Sequence, residues 1–279
     1  MSIAFTKMHG LGNDYLFING AEYPVADPAA LSRAMSGRHL GAGADGIILV
    51  LPGEQHPFRM RIFNADGSEA ETCGNGIRCF AKYVYERGMC TEPEFVIETL
   101  AGPNAVQCSV DDGKVATVRS NMGRPKFDRR EIPMEGPPGE VKEEPLEVPG
   151  AGELRVTCAN IGNPHAVFFV EDATAVNLAE LGPGVECHAR FPQRTNVEFV
   201  TVLDRENIVM RIWERGSGIT MASGSGSCGA ALAAMITGRT ERRVTVHLVH
   251  GGLAIEWAED GAVYQEGPAT EVYTGVWPG

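Results

Sequence analysis

The sequence lacks several things, and each absence narrows its reading. No stretch approaches about 18 consecutive apolar residues, so no transmembrane helix is expected. The first residues, MSIAFTKMHG, lack the charged-then-apolar order of a secretory leader. Positive charge is scarce, with 24 Lys and Arg against 36 Asp and Glu and a formal net charge of −12. A nucleic-acid binder is expected to carry a basic stripe, so that class is excluded. The acidic balance says little more, because such surfaces serve solubility. The seven cysteines (73, 79, 90, 108, 158, 187 and 228) are odd in number, scattered, and form no Cys-x-x-Cys pair. A reduced, cytoplasmic chain is the expectation. His9, His188, His247 and His250 have no ligand spacing, so no metal is expected, and no lysine sits in a motif suited to pyridoxal phosphate.

What is present is a long repeat. MRIFNADGSEAETCGNG at 60–76 aligns with MRIWERGSGITMASGSG at 210–226 when the second is moved back 150 positions. Met60, Arg61 and Ile62 fall on Met210, Arg211 and Ile212, and Gly74 and Gly76 fall on Gly224 and Gly226. The same offset places Gly12-Asn13 on Gly162-Asn163, Val96 on Val246 and Gly102 on Gly252. Chance agreement among glycine-rich loops is the bland explanation, but a gapless register over about ninety positions favours duplicated domains. The length of 279 residues also divides into about two domains. The expected boundaries are 1–122 and 123–268, with the tail 269–279 free to pack back on the first. The stretch 123–150 holds six prolines and many charges, and reads as the inter-domain segment with room for one or two edge strands.

Strands are expected at Tyr15–Ile18, Ile47–Leu51, Arg59–Phe63, Phe95–Thr99 and Val115–Arg119. In the second half they are expected at Leu154–Cys158, Ala166–Val170, Val197–Val202, Ile208–Trp213, Val244–His250 and Leu253–Trp257. Asp27-Pro28 reads as an N-cap and first-turn proline opening a helix to about Met35. After Cys73, the residues Ile77, Phe80, Ala81 and Val84 recur at helical steps until Gly88. After Ser223, the run SCGAALAAMI is small and apolar all round, which marks an enclosed helix. The fold class expected is α/β (α+β): two similar domains, each a mixed or antiparallel sheet wrapped around one central helix.

Those helix starts carry chemistry. A helix N-terminus presents unpaired N–H groups and about half a positive charge, and binds carboxylates readily. A cysteine there has a raised thiolate fraction. Two such ends facing one anionic ligand could put a proton acceptor and a proton donor on opposite faces of a carbon. The bland alternative for Cys73 is a buried, inert thiol.

The sequence resembles the diaminopimelate epimerases. NADGSEAETCGNGIRCFAKYV at 64–84 matches the family pattern N-x-D-G-S-x4-C-G-N-G-x-R in full. KMHGLGNDYLFI (7–18), GAGADGIILV (41–50), NIGNPHAVFFV (160–170), FPQRTNVEF (191–199) and WERGSGITMASGSGSCGA (213–230) resemble further blocks in the right order. The resemblance implies a cofactor-independent isomerase of lysine and peptidoglycan precursor synthesis, with two similar domains and the site between them. It implies Cys73 as the first acid/base residue, with His165 and Glu214 assisting around the reacting carbon. Asn13, Asn64, Asn163, Asn196 and Arg215 would hold the substrate. Gly74 and Asn75, with Gly224 and Ser225, would bind its carboxylate. A homodimer is in keeping with the family. Blander roles stand beside these: Asn163-Pro164-His165 as a turn, Glu214 and Arg215 as a solvated ion pair, Asn196 as a loop pin.

The departure is Ser223, where the family has its second cysteine. Cys228 lies more than a turn further on and cannot simply replace it. A serine hydroxyl is far less acidic than a thiol, and an acid/base group works best with a pKa near the working pH. Three explanations stay open: an engineered Cys→Ser substitution in a diaminopimelate epimerase, made to trap substrate or stop turnover; a natural divergence to a related racemase, isomerase or one-base dehydratase; or a non-catalytic amino-acid binder.

Overall fold

The computed structural model describes residues 2–278. The chain divides into two units. The first runs to Asn121 and includes the segment from Glu266 onward, and the second is Met122–Gln265. In the first, the strands lie in the order Thr270–Trp277, Ile3–Gly10, Asn13–Asn19, Gly46–Pro52, Phe58–Asn64, Glu94–Thr99, Gly102–Asp111 and Lys114–Gly123. All neighbours are antiparallel except Asn13–Asn19 with Gly46–Pro52, and Phe58–Asn64 with Glu94–Thr99. Parallel neighbours need a crossover, and each crossover here contains a helix: α1 (Pro28–Ser36) and α2 (Gly74–Glu86).

The second unit repeats the path. Its strands run Glu144–Val148, Gly152–Asn160, Pro164–Phe169, Asn196–Val202, Asn207–Glu214, Arg243–Leu248 and Gly251–Trp257, again with two parallel pairs. Its crossover helices are α3 (Leu178–Glu186) and α4 (Gly224–Ile236). Each starts and ends 150 positions after its counterpart in the first unit. The fold is therefore α+β, with a mixed sheet curled around a central helix in each copy.

Burial explains the curl. In α4 all but Ser225 and Ile236 are buried, and the helix packs against six strands of its own unit. A helix of Gly, Ala and Ser lets those strands close in, and its apolar surface is removed from water only if they surround it. In the first unit the strand Asn13–Asn19 is buried on both faces. Tyr15 and Phe17 join the core around α2, while Leu16 and Ile18 pack with Met35 of α1. The period-2 alternation of a strand thus sends one set of side chains to the central helix and the other to the outer one.

Several expectations need correction. The stretch 123–150 is no mere connector. Ile132, Met134, Val141, Leu146 and Val148 belong to the core of the second unit. Arg129, 2% exposed, ties the proline-rich segment down through Nε to the Pro137 carbonyl and a pair with Glu144. The strand expected to reach His250 ends at Leu248, with a turn at Val249-His250. The one expected at Ala166–Val170 spans Pro164–Phe169. Helix α3 was not expected, because LAELGPGVE carries Pro183 and two glycines inside it. Gly182 is there for space, since a Cβ would lie 2.5 Å from the Trp213 ring. Strands Ile3–Gly10, Gly102–Asp111 and Thr270–Trp277 were also not expected. The last two are largely exposed and lack a clean apolar alternation.

Phe80 lies at the centre of the first core, fully buried against Phe58. Phe80→Ala is expected to cost about 3–5 kcal/mol, read as a lowered midpoint in chemical denaturation.

Candidate active site

The central helix of each unit starts at one side-chain cap. Cys73 is the N-cap of α2, with extended backbone, and its Sγ accepts from the Gly76 N–H at 3.3 Å. Ser223 is the N-cap of α4, also extended, and its Oγ accepts from the Gly226 N–H at 3.1 Å. The two copies thus solve one problem identically, that of the unpaired N–H groups of a first turn. Both third-position glycines sit close to an isoleucine side chain. A Cβ on Gly76 would lie 2.9 Å from Ile48 Cδ1, and one on Gly226 would lie 2.4 Å from Ile212 Cδ1.

Around Cys73 the first unit gathers three asparagine-linked elements. The strands Ile3–Gly10 and Asn13–Asn19 are joined by Leu11-Gly12, both with positive φ, a two-residue hairpin turn of the kind glycine favours. That turn delivers Asn13. Its Oδ1 accepts from the Cys73 thiol at 3.5 Å and from Asn75 Nδ2 at 3.2 Å. Its Nδ2 donates to Asp45 at 2.8 Å, which fixes which end of the amide faces the sulfur. Asn75 is oriented in turn by fully buried Arg78, whose Nη2 donates to Asn75 Oδ1 at 2.8 Å and whose Nε donates to the Pro268 carbonyl. The Tyr15 hydroxyl reaches the sulfur at 3.6 Å. Asp45 also accepts from the Asp14 N–H. Asp14 itself is paired with Lys7 and Arg38. Burial works against the Asp14 carboxylate, but those two cations hold its pKa below the ordinary value.

The second unit surrounds Ser223 differently. The Ser223 hydroxyl donates to Glu214 Oε2 at 3.0 Å, and the Thr220 hydroxyl donates to the other carboxylate oxygen. Glu214 is therefore turned onto the helix cap. The Arg215 N–H donates to Asn196 Oδ1 at 2.9 Å, and Asn196 Nδ2 donates to the Pro164 carbonyl at 2.9 Å. Asn196 is buried and brackets two backbone segments, which is the pinning role. Pro164 opens a strand, so Asn163-Pro164-His165 is a strand entry and not merely a turn.

His165 and Glu198 form a fully buried pair, Nδ1 to Oε1 at 2.6 Å. Burial raises the Glu198 pKa, and the imidazole opposes that rise. The other ring nitrogen, Nε2, lies 2.8 Å from Asn163 Oδ1, so the buried pair holds the Asn163 side chain in place. Gly229 of α4 gives the ring its space, because a Cβ there would lie 2.6 Å from His165 Cγ.

The expected site residues are thus grouped in two sets. Asn13, Cys73, Gly74 and Asn75 adjoin at α2, and Asn64 places its Nδ2 on Ser68 Oγ at 3.0 Å. Ser223, Gly224, Ser225 and Glu214 adjoin at α4, with the pairs Asn163–His165 and Asn196–Arg215 in the same unit. Tyr15, Asp45, Arg78, Glu198 and Thr220 were not singled out from sequence. Glu198 had a signal, being an acid among apolar residues in NVEFV, and Arg78 closes the motif itself.

Comparison with known proteins agrees with this layout. The sequence profile of the family described as "Diaminopimelate epimerase" matches residues 5–127 and 157–272. A diaminopimelate epimerase of Moorella thermoacetica is 54% identical over 276 residues, covering 98% of this chain and 99% of that protein. One from Pelotomaculum thermopropionicum is 52% identical, with 98% of each covered. Among solved structures, a Bacillus anthracis phenazine biosynthesis protein of the PhzF family superposes with a TM-score of 0.73 at 16% identity, covering 99% of both chains. A hydroxyproline epimerase from Agrobacterium vitis, solved with trans-4-hydroxy-L-proline, gives 0.65 at 16% identity, covering 99% of this chain and 91% of that one. At such identities the two structures speak for the fold alone.

The buried pair makes a distinct prediction. Glu198→Ala strands the imidazole in an apolar interior and is expected to cost about 3–5 kcal/mol in urea unfolding. Glu198→Gln can still donate to Nδ1, and is expected to cost about 1 kcal/mol.

Proposed function

The chain belongs to the diaminopimelate epimerase family and is an isomerase, and we propose that its two capped helix starts carry the interconversion of LL- and meso-2,6-diaminopimelate. The observation that supports this most directly is the equivalence of Cys73 and Ser223, each an N-cap of a central helix in a duplicated unit. Epimerisation removes a proton from one face of a carbon and returns one to the other. Duplicated units with one acid/base position each are suited to that task. The reaction serves lysine biosynthesis. Seven scattered cysteines with no Cys-x-x-Cys pair are in keeping with a reducing compartment such as the cytoplasm, and no described helix is long and apolar enough to cross a membrane.

The α-hydrogen of an amino acid is weakly acidic, and the barrier lies in the negative charge that builds up on its removal. In this reading the first-turn N–H groups at Gly74 and Asn75, and at Gly224 and Ser225, hold the α-carboxylate. Their fixed dipoles stabilise the developing charge in the manner of an oxyanion hole. Cys73 takes the proton as thiolate or gives it as thiol. Asn163, oriented through His165, and Arg215, whose backbone Asn196 fixes, bind substrate groups away from the reacting carbon. No resident cofactor has a part in these steps.

Position 223 limits the chain as it stands. A hydroxyl bonded to Glu214 gives a proton far less readily than a thiol, and the carboxylate is too weak a base to turn it into an alkoxide. Proton removal by Cys73 then acts on one stereoisomer, with little inversion. Ser223→Cys is expected to raise epimerisation by about 100- to 10,000-fold, the range a general acid/base group contributes. Proton NMR in deuterium oxide, with LL- and meso-diaminopimelate incubated separately, reads both effects. Loss of the α-hydrogen from one isomer with the chain as it stands, and inversion with Ser223→Cys, is the expected pattern. Absence of exchange from both isomers with both proteins would overturn the substrate assignment.

A further inference from the structure

Tyr15 sits where a phenylalanine would fill the space. Its ring joins the core around α2 with Met8, Phe17 and Ile48, and the residue is buried. A hydroxyl in an apolar core is costly unless it has a partner. Here the hydroxyl points at the Cys73 sulfur, 3.6 Å away. The sulfur also accepts from the Gly76 N–H at 3.3 Å, while its own proton is directed at Asn13 Oδ1, 3.5 Å away. One sulfur thus meets donors that favour its anionic form and an acceptor that favours its neutral form.

We propose that Tyr15 is a positioning residue for the acid/base chemistry of Cys73. Its hydroxyl stabilises the thiolate, in opposition to the Asn13 carbonyl oxygen that stabilises the thiol. The inference rests on the reading of Cys73 as an acid/base group and adds the means by which its two protonation states are balanced. A group that must take a proton in one direction and give it in the other needs both states within reach, and neither a donor-only nor an acceptor-only setting provides that. Burial first, and the neighbouring Cys73 second, push the Tyr15 hydroxyl well above its ordinary pKa, so it stays protonated as a donor through the working pH range.

Asp45, Arg78 and Cys79 do not duplicate this role. Asp45 acts through Asn13, and its negative charge disfavours the thiolate. Arg78 acts through Asn75, and its positive charge favours it. Cys79, on the next turn of α2, is fully buried and pushed up to about 12, so it stays neutral. Tyr15 is the neutral donor that reaches the sulfur from the strand side.

The test is the pH dependence of Cys73 alkylation by iodoacetamide, followed peptide by peptide with mass spectrometry. Cys73 is half-buried, and cleavage after Arg61 and Arg78 releases it in a peptide with no other cysteine. Tyr15→Phe is expected to move the midpoint up by about one pH unit, a tenfold slower reaction below it. Tyr83→Phe, which removes another hydroxyl from the same core, is expected to leave the midpoint in place. 3-Fluorotyrosine at position 15, a stronger donor of nearly the same size, is expected to move the midpoint down, and it keeps the test open where Tyr15→Phe fails to fold. An unmoved midpoint with either replacement, or an equal shift with Tyr83→Phe, overturns the proposal. Alkylation does not depend on turnover. A shifted midpoint without proton exchange from diaminopimelate would sink the substrate assignment and leave the role of Tyr15 intact.

Discussion

The structure turns on the need to cap a helix that its own sheet encloses. Once the strands surround α2 or α4, the backbone groups along the helix are satisfied internally, and the sides are sealed by side chains. Only the ends remain to be dealt with. At the N-terminus the first N–H groups have no partner within the helix, and the dipole adds positive potential there. One side chain takes one of these donors, and the others stay available to an anion. The cap position is therefore both the structural closure of the unit and an electrostatically prepared place. That both copies keep the cap, and the glycine three residues on, shows the constraint operating twice.

Around that constraint the two copies diverge in chemistry but not in path. Both helices of each unit and the first parallel pair fall 150 positions apart, and the second parallel pair differs by one residue. The partners of the cap do not repeat. In the first unit Asn13 and Tyr15 meet the sulfur, with Asn75, Asp45 and Arg78 behind them. In the second Glu214 and Thr220 attend the hydroxyl, and a buried imidazole–carboxylate pair orients Asn163 nearby. Asn13 and Asn163 share a place in the repeat, yet one is steered by a carboxylate and the other by a histidine. A duplicated scaffold can distinguish two ends of a substrate by such changes, because backbone geometry is common and only the polar neighbours differ.

The repeat made most of this legible in the sequence, because period and offset are properties of the chain that folding preserves. The central helices were readable from apolar steps after Cys73 and from uniform small residues after Ser223. Helix α3 was not, since Gly182, Pro183 and Gly184 argue for a turn locally. Packing against Trp213 overrides that local preference. The repeat register would have placed α3, as Pro28 maps onto Leu178. The core residues of 123–150 were hidden because prolines break any period between them, and burial there depends on Arg129 reaching carbonyls and a carboxylate that the sequence does not bring together. Tyr15 and Glu198 were hidden for a similar reason. Each acts through a second residue, and a single sequence reveals motif members more readily than the groups that orient them.

The same reasoning explains why one copy can carry a thiol and the other a hydroxyl. As an N-cap, serine is among the preferred residues, and its oxygen accepts a backbone N–H more strongly than sulfur does. Exchanging cysteine for serine at position 223 therefore leaves the closure of α4 intact: Oγ caps Gly226, and the neighbouring Ser227 hydroxyl bonds the Ser223 carbonyl. In the proposed reaction the cost falls on proton transfer, since the hydroxyl holds its proton far more tightly than a thiol. Position 223 is thus a place where fold and chemistry ask for different atoms of nearly the same size. At Cys73 the balance is reversed. Sulfur is the poorer cap, and the polar groups gathered around it make it useful as an acid and as a base.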